Sequence, residues 1–515
     1  MNHRDKPSGV FVSSSFVMLR EQAQAIWEAG VAAVSSEHLV RNVIHRDGRT
    51  LSICGHDWDT NSLGHIIVLG VGKAGAGMAA AVEAALGEEL TDAKVAGWVN
   101  VPADCVWPLR RIVLHSARPA GVNEPTQEGV FGTQQILKLA GSATPNDLVL
   151  VLISGGGSAL APAPIPEITL ADKLAVTRFL MSSGASIQEL NTVRKHLSLF
   201  KGGGLARAAS RARAVITLII SDVIGDPLDV IASGPTVEDT STAADALVVL
   251  ERFGAQPPQI PESVWSALRH TRSKLAPLPS GEGGRRPGEG RVAFNSPILK
   301  APAKDISSSR SESIAACVPH PNPLPKGEGT AAMPHVHNIV IGNNATAFRA
   351  AAAKARELGF AVKSLGSNNA GEAQVVGREL AELCRRIRDG QADVSLPACV
   401  LSGGEPVVKL VPTNQPRKGG RNQEVALAAL QRLWGEGLDR IAILSGGTDG
   451  EDGPTNAAGA VVDESLRQMA LAKGLDPTEF LAINNSYPFF EQTDGLLLTG
   501  PTHTNVMDLR VAVVQ

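Results

Sequence analysis

Apolar residues along this chain follow two recurrent patterns. From Leu19 to about Ile44 the stretch LREQAQAIWEAGVAAVSSEHLVRNVI spaces them three and four apart, which predicts helix. Downstream, continuous apolar runs dominate, each closed by glycines or polar turn residues. They are HIIVLGVG (65–72), followed by the helix-patterned AGAGMAAAVEAAL, then DLVLVLISGGGS (147–158), AVITLIISDVIGD (214–226), NIVIGNN (338–344), ACVLSGGE (398–405), RIAILSGGTDGEDG (440–453) and DGLLLTGPTHTN (494–505). Continuous rather than alternating runs are expected of strands covered on both faces. Their alternation with helices predicts an α/β fold of largely parallel sheets, in which ligands sit at the carboxyl ends of the strands, where these glycine turns lie.

Residues 271–335 break the pattern. They are rich in Pro, Gly and Ser, lack hydrophobic periodicity, and carry the near-repeats PLPSGEG (277–283) and PLPKGEG (323–329). Such a segment buries too little apolar surface to offset its ordering entropy, so a disordered low-complexity insertion is expected there. It divides the chain into an N-terminal Rossmann-like unit, 15–270, and a C-terminal α/β unit, 336–515.

Composition narrows the function classes. The 515 residues hold 48 Lys+Arg against 51 Asp+Glu, a net charge of −3, which argues against a nucleic-acid partner. No run reaches the ~18 apolar residues of a membrane span, so no membrane partner is expected. Five scattered cysteines without CxxC or metal-ligand spacing suggest reduced thiols and a cytoplasmic protein. The segment SGVFVSSSFVML (8–19) has a weak signal-like core but no small-residue cleavage site; a cytoplasmic leader, or a start at Met18, is the expectation.

Several motifs carry candidate chemistry. Gly70-Val71-Gly72-Lys73-Ala74-Gly75 matches G-x-G-x-x-G after a strand and before a helix, but the ribose-binding acid expected about 20 residues on is missing. Lys73 inside that turn can reach an anion held there; a tight turn with a solvated lysine is the competing reading. Ser154-Gly155-Gly156-Gly157-Ser158 can form an anion nest or a simple crossover turn. Asp222, with Asp226 and Asp229 nearby, suits a base or metal ligand, or an ordinary helix cap. Arg421, in a glycine turn, suits bidentate recognition of carboxylate or phosphate. Thr448-Asp449-Gly450-Glu451-Asp452-Gly453 packs three acids into one turn, enough for one or two Mg²⁺ contacts. Cations on glycine turns and acids at strand ends together suit phosphoryl transfer, and neither a P-loop nor the kinase signatures HRD and DFG occur.

VLGVGKAGAGMA, SGGGSAL, NTVRKHLSLFKGGGLAR, SDVIGDPLDVIASGPT, SGGEP, GGRNQE, GGTDGEDGPTNAAGA and GPTHTNVMDL, in this order, closely resemble the glycerate 2-kinases of the two-domain type with a MOFRL C-terminal domain. The resemblance spans about residues 15–265 and 336–515. It implies two α/β domains with an active-site cleft between them, and ATP- and Mg²⁺-dependent transfer of a phosphoryl group to D-glycerate, giving 2-phospho-D-glycerate. The family's catalytic lysine, aspartate and arginine fall on Lys73, Asp222 and Arg421. Lys73 and Arg421 are then expected to neutralise the phosphoryl group, with Asp222 as general base or Mg²⁺ holder. Substrate or nucleotide contacts are expected from Gly72, Ser154, Gly155, Gly156, Gly157, Ser158, Arg194, Lys195, Gly403, Glu405, Asn422, Thr448 and Gly450, and metal contacts from Asp222, Asp449 and Asp452. A homodimer is the candidate assembly. Some relatives have been labelled hydroxypyruvate reductases, so an NAD(P)H oxidoreductase is the alternative function. One departure is His503 in GPTHTN, where a small residue, often glycine, is expected.

Overall fold

The computed structural model describes residues 14–122, 124–274 and 335–515. The first helical stretch is two helices, Ser14–Ala33 and Ser36–Arg41, with the Ser35 side chain capping the second. A small antiparallel meander follows, β1 (Ile44–Asp47), β2 (Thr50–Ile53) and β3 (His56–Asp59).

The first large sheet contains β4 (Ile66–Val71), β5 (Val95–Pro102), β6 (Ile112–Arg118), β7 (Leu148–Ile153), β8 (Ala214–Ile220) and β9 (Val336–Gly342). Its order is β6-β5-β4-β7-β8-β9, every pair parallel. This is the doubly wound order, with its switch point between β4 and β7. The register pairs Val71 with Ile153, so the Gly72 and Ser154 turns leave the sheet side by side. β4, β7 and β8 are buried along their whole length because helices cover both faces.

The second sheet is mixed. It contains β10 (Ala361–Ser364), β11 (Ala398–Gly404), β12 (Ile441–Gly447), β13 (Gly459–Asp463), β14 (Leu496–Leu497) and β15 (Asp508–Val514), in the order β10-β11-β15-β12-β13-β14. β10 and β11 are parallel, while β15 runs antiparallel to both β11 and β12, and β13 runs antiparallel to β12 and β14. The expectation of two α/β domains stands, and parallel pairing holds throughout the first sheet. In the second, two strands are reversed: β15, which returns between β11 and β12, and β13, which turns back beside β12. Asp508 therefore lies opposite both Gly404 and Gly447, at the edge where the two glycine turns emerge.

Two segments depart from a linear division at 270 and 336. The helix Ser14–Ala33 packs on the second sheet: Leu19, Ala23, Ile26 and Trp27 join a core with Leu401, Leu444 and Val511. Trp27 donates its indole N–H to the Gly446 carbonyl at 3.3 Å, and Arg20 pairs with Asp463 at 2.6 Å. Conversely, β9, assigned from sequence to the C-terminal unit, is the edge strand of the first sheet. The helix Glu262–Lys274 runs into the start of the segment read as an insertion, and positions 275–334 of that segment lie outside the described residues.

Helices Leu170–Ser182, Ile187–His196, Ala243–Arg252 and Glu262–Lys274 build a separate apolar cluster around Leu180, Val193, Leu250 and Val264. Three of them begin with a Ser/Thr cap or capping box, Thr169, Ser186 and Thr242. Among the described residues, no helix is long and apolar enough to cross a membrane.

Candidate active site

A cavity of about 1160 Å³ opens between the two large sheets and the helical cluster. Asp222, after β8, and the turn 154–158, after β7, line it from the first domain; Glu405, after β11, and Arg421, at the start of helix Arg421–Arg432, line it from the second.

Asp222 stands where two segments of the chain, the Gly155 turn and the Asn505 loop, crowd together. A Cβ added to Gly155 would come within 2.3 Å of its Oδ2 and 2.0 Å of Asn505 Nδ2, so only glycine fits there. Asn505 Nδ2 donates to Asp222 Oδ2 at 3.3 Å. Burial pushes the Asp222 carboxyl up to about 7, and the Glu405 and Asp449 charges add to the rise. Arg421 is held in a fork: Nε and Nη2 donate to the two Asp508 oxygens at 2.7 and 3.0 Å, and Nη1 pairs with Glu405 at 2.7 Å. Burial works against its charge, but Asp508 and Glu405 outweigh it and hold the guanidinium charged.

Lys73 lies under the same turn, its Cγ 3.4 Å from where a Gly156 Cβ would stand, and it does not line the cavity. Its Nζ bridges to the second domain, donating to Asp449 at 2.8 Å and Glu451 at 2.6 Å. Burial lowers its pKa, yet the two carboxylates carry it above the ordinary value.

The glycine turn around Lys73 is not an open anion cradle. The Gly72 N–H donates to the Asn100 carbonyl (3.2 Å), Lys73 to Gly155 (2.9 Å), Ala74 to the Ser154 hydroxyl (3.0 Å) and Gly75 to Gly72 (3.1 Å). Gly72 serves sterically instead: at φ +140° its Cβ would stand 2.1 Å from Ser154 Oγ. Ser154 is buried and takes part in this lock, whereas Gly156, Gly157 and Ser158 line the cavity with it.

Several expected contacts hold the fold together. Asp452 accepts the N–H groups of Asn422 (3.0 Å) and Gln423 (2.8 Å), capping helix Arg421–Arg432, so this expected metal contact faces into the protein. Burial pushes its carboxyl up to about 7 even though those amides favour the charge. Asn422 is buried and accepts the Ser445 hydroxyl at 2.6 Å. Thr448 is buried, donating to the Met507 carbonyl (2.7 Å) and accepting the Val506 N–H (2.9 Å). Gly450, at φ +85°, lets the Gly500 carbonyl approach to 2.1 Å from a Cβ position, and Gly403 gives way to Asn344 in the same manner at 1.8 Å. Lys195 points away from the cavity toward Asp229 (3.4 Å) and Asp239 (3.5 Å), while Arg194 lines it. His503 sits at φ +54°, a backbone conformation that suits glycine; its ring packs edge-on against Trp107 at 4.9 Å and does not line the cavity.

Sequence reasoning missed Asn505 and Asp508, and it read Glu451 as one of three acids suited to Mg²⁺ rather than as a partner of Lys73. Each lies inside a motif quoted for the resemblance, but nothing in the spacing couples Asp508 to Arg421 or Glu451 to Lys73. Both pairings arise from β15 returning between β11 and β12 and from the two domains meeting.

Charged groups from two α/β domains thus face one cavity, an arrangement suited to an enzyme acting on small anionic molecules. Family models match residues 22–269, described as a domain of unknown function (DUF4147), and 398–508, the MOFRL family. A glycerate kinase of Danio rerio is 37% identical over 96% of this chain and 98% of that protein. A D-glycerate 2-kinase of Thermotoga maritima is 34% identical over 88% and 91%. A protein of Agrobacterium vitis, provisionally named a hydroxypyruvate reductase, is 36% identical over 97% and 95%. The crystal structure of a Thermotoga maritima glycerate kinase superposes with a TM-score of 0.71 at 32% identity, covering 97% of this chain and all of that one. The chain belongs to the glycerate kinase family, and it is a kinase.

Proposed function

We propose that the protein transfers the γ-phosphoryl group of ATP to the 2-hydroxyl of D-glycerate, giving 2-phospho-D-glycerate. The observation that carries this reading is the meeting of Asp222 and Arg421, from different domains, on one cavity, in a chain of the glycerate kinase family. A carboxyl held near 7 is suited to accept a hydroxyl proton at neutral pH, which favours the general-base role for Asp222. Arg421, fixed by Asp508 and Glu405, presents a permanent positive charge to the transferring phosphoryl. Lys73 supplies the second cation, exchanging its Asp449 and Glu451 partners for phosphate oxygens as the domains close over the substrates.

Among the described residues no group of three or more His, Cys, Asp or Glu is arranged to hold a metal ion by itself, so Mg²⁺ would enter with the nucleotide phosphates. Glu405 and Asp449 place negative charge near Asp222, partly offset by Lys73, that a divalent cation arriving with those phosphates would offset further. Asp449, with Asp222, would hold it; Asp452, committed to helix amides, would not. When bound, the ion neutralises phosphate charge and orients the phosphates.

The name of the Agrobacterium vitis relative favours a second reading, reduction of hydroxypyruvate. The spent amides of Gly72 to Gly75 count against it, because a dinucleotide pyrophosphate needs such groups free. Purified protein with D-glycerate, ATP and Mg²⁺ in an ADP-coupled assay, its product followed by phosphorus NMR, tests the kinase reading. A 2-phosphoglycerate signal is expected; nicotinamide-dependent turnover of hydroxypyruvate without ATP would replace that reading with the second.

A further inference from the structure

We propose that Lys173, Arg194 and Lys201, with the hydroxyls of Ser158 and Ser233, form an oxyanion subsite at the helical end of the interdomain cavity. It takes either the carboxylate of the hydroxy acid or phosphate oxygens of the nucleotide. This deepens, and rests on, the kinase reading of the same cavity.

The argument begins with an imbalance of charge. Lys173, on helix Leu170–Ser182, is 5% exposed, and its Nζ has no hydrogen-bond partner among the described residues, although the residue lines the cavity. Lys201 is 1% exposed; its Nζ donates to Ser158 Oγ at 2.6 Å and to the Ser158 and Ala232 carbonyls at 3.3 Å. Arg194 donates from Nη2 to the same Ser158 hydroxyl. Ser233 donates to Asn191 Oδ1 at 2.9 Å and stands 3.2 Å from Ser158 Oγ. Two cationic groups, Arg194 and Lys201, thus converge on one serine, the unpartnered Lys173 lies close enough to feel the Arg194 charge, and none of the three pairs with a carboxylate among the described residues. Their mutual effect is visible: burial lowers the Lys173 ammonium to about 7, with the Arg194 charge contributing, and burial also lowers Lys201, with Arg194 and Lys173 adding to it.

The neighbouring lysine makes the contrast. Lys195, one residue from Arg194, is given Asp229 and Asp239 as partners and faces away from the cavity. Where a lysine of this cluster is structural, the fold supplies its counter-charge. Buried cations without one are strongly unfavourable, and an apolar side chain at position 173 would pack against Val176 and Leu180 at lower cost. The missing negative charge is therefore brought by a ligand, and Ser158 ties the cluster to the glycine turn whose other end adjoins Asp222. An oxyanion seated here and a hydroxyl at Asp222 belong to molecules in the same cavity.

The test is calorimetric titration of wild type and Lys173→Met with D-glycerate and, separately, with inorganic tripolyphosphate, alongside the melting temperature of each apo protein. Lys173→Gln repeats the measurement should the Met variant not accumulate. The expected result is an unchanged or higher apo melting temperature with at least about a tenfold rise in Kd for one probe. Weakened D-glycerate binding assigns the subsite to the carboxylate, and weakened tripolyphosphate binding assigns it to the nucleotide. Wild-type affinity for both probes in the variants overturns the proposal, as does a wild type that binds neither. Tripolyphosphate binding that depends on Lys173, in a protein that does not phosphorylate glycerate, would sink the kinase reading and leave the subsite standing.

Discussion

Replacing Asp222 by Asn should stabilise the folded protein while disabling it. The carboxyl is raised from its ordinary 3.8 to about 7 by burial and by the nearby Glu405 and Asp449 charges. Keeping it ionised in the native state then costs roughly 4 kcal/mol at neutral pH and above, trimmed to about 2–3 kcal/mol by the solvent access the part-buried side chain retains. The sign follows from proton binding. Between about pH 4 and pH 7 the unfolded carboxyl has lost its proton and the native one still holds it, so rising pH draws the equilibrium toward unfolding. Below about pH 4 both are protonated, and above about pH 7 both are ionised and the penalty is constant. Asn carries no such charge and can keep a hydrogen bond with Asn505. The melting-temperature difference between Asp222→Asn and wild type, scanned from pH 4 to pH 9, should therefore start small, grow to pH 7 and level off in favour of the variant. In the same preparation kcat should fall by about 10²–10⁴, the usual contribution of a positioned general base. Wild-type kcat/KM should drop about tenfold per pH unit on the acid side of 7. A variant that is less stable than wild type at pH 8, or a stability difference independent of pH, would refute the reasoning.

Lys73→Ala should lower kcat by about 10²–10³ through loss of charge stabilisation in the transition state; it should also lower the melting temperature, since Asp449 and Glu451 lose their shared cation. Full activity would remove Lys73 from the site. Asp452→Ala should destabilise by about 1–3 kcal/mol in urea titrations, because the buried N–H groups of Asn422 and Gln423 lose their acceptor; an unchanged midpoint would show that the cap is dispensable. Gly72→Ala should yield little soluble protein, because the added methyl meets Ser154 Oγ at 2.1 Å in a backbone conformation that side chains rarely adopt. A melting temperature within about 1 °C of wild type would contradict the steric argument.

Much of the first domain was legible in the chain because its strands are buried on both faces and so read as continuous apolar runs ending in glycine. The order of β4 to β9 was not legible in the same way, because β8 and β9 are reached only after long excursions that include the helices of the separate cluster. The second sheet was harder. β15, which lies between β11 and β12, follows a glycine-rich motif at the end of the chain, and nothing in DLRVAVV tells that it runs opposite to its neighbours. Lys73, Asp222 and Arg421 stood out because each sits in a glycine-flanked turn at a strand or helix end. Asp508 did not, and Asp449 and Glu451 stood out only as candidate metal contacts, since the pairings with Arg421 and Lys73 come through tertiary contact. Lys173 was the least visible. A single lysine in an amphipathic helix reads as a solvated face, and only its burial beside Arg194 and Lys201 changes that reading.

The placement of helix Ser14–Ala33 on the second sheet has a consequence for biogenesis. This helix leaves the ribosome before either large sheet, yet the sheet that covers Leu19, Ile26 and Trp27 is complete only when β15, which follows all the other strands described, has been made. The strands of both large sheets must be synthesised while an apolar stripe waits for its seat, so this helix docks late and needs shielding in the interval. The same connection sets the rule for dissecting the molecule: a cut between the large domains leaves the C-terminal half without its N-terminal helix and the first half without β9. Halves that fold would have to be assembled by permuting the chain rather than by truncating it.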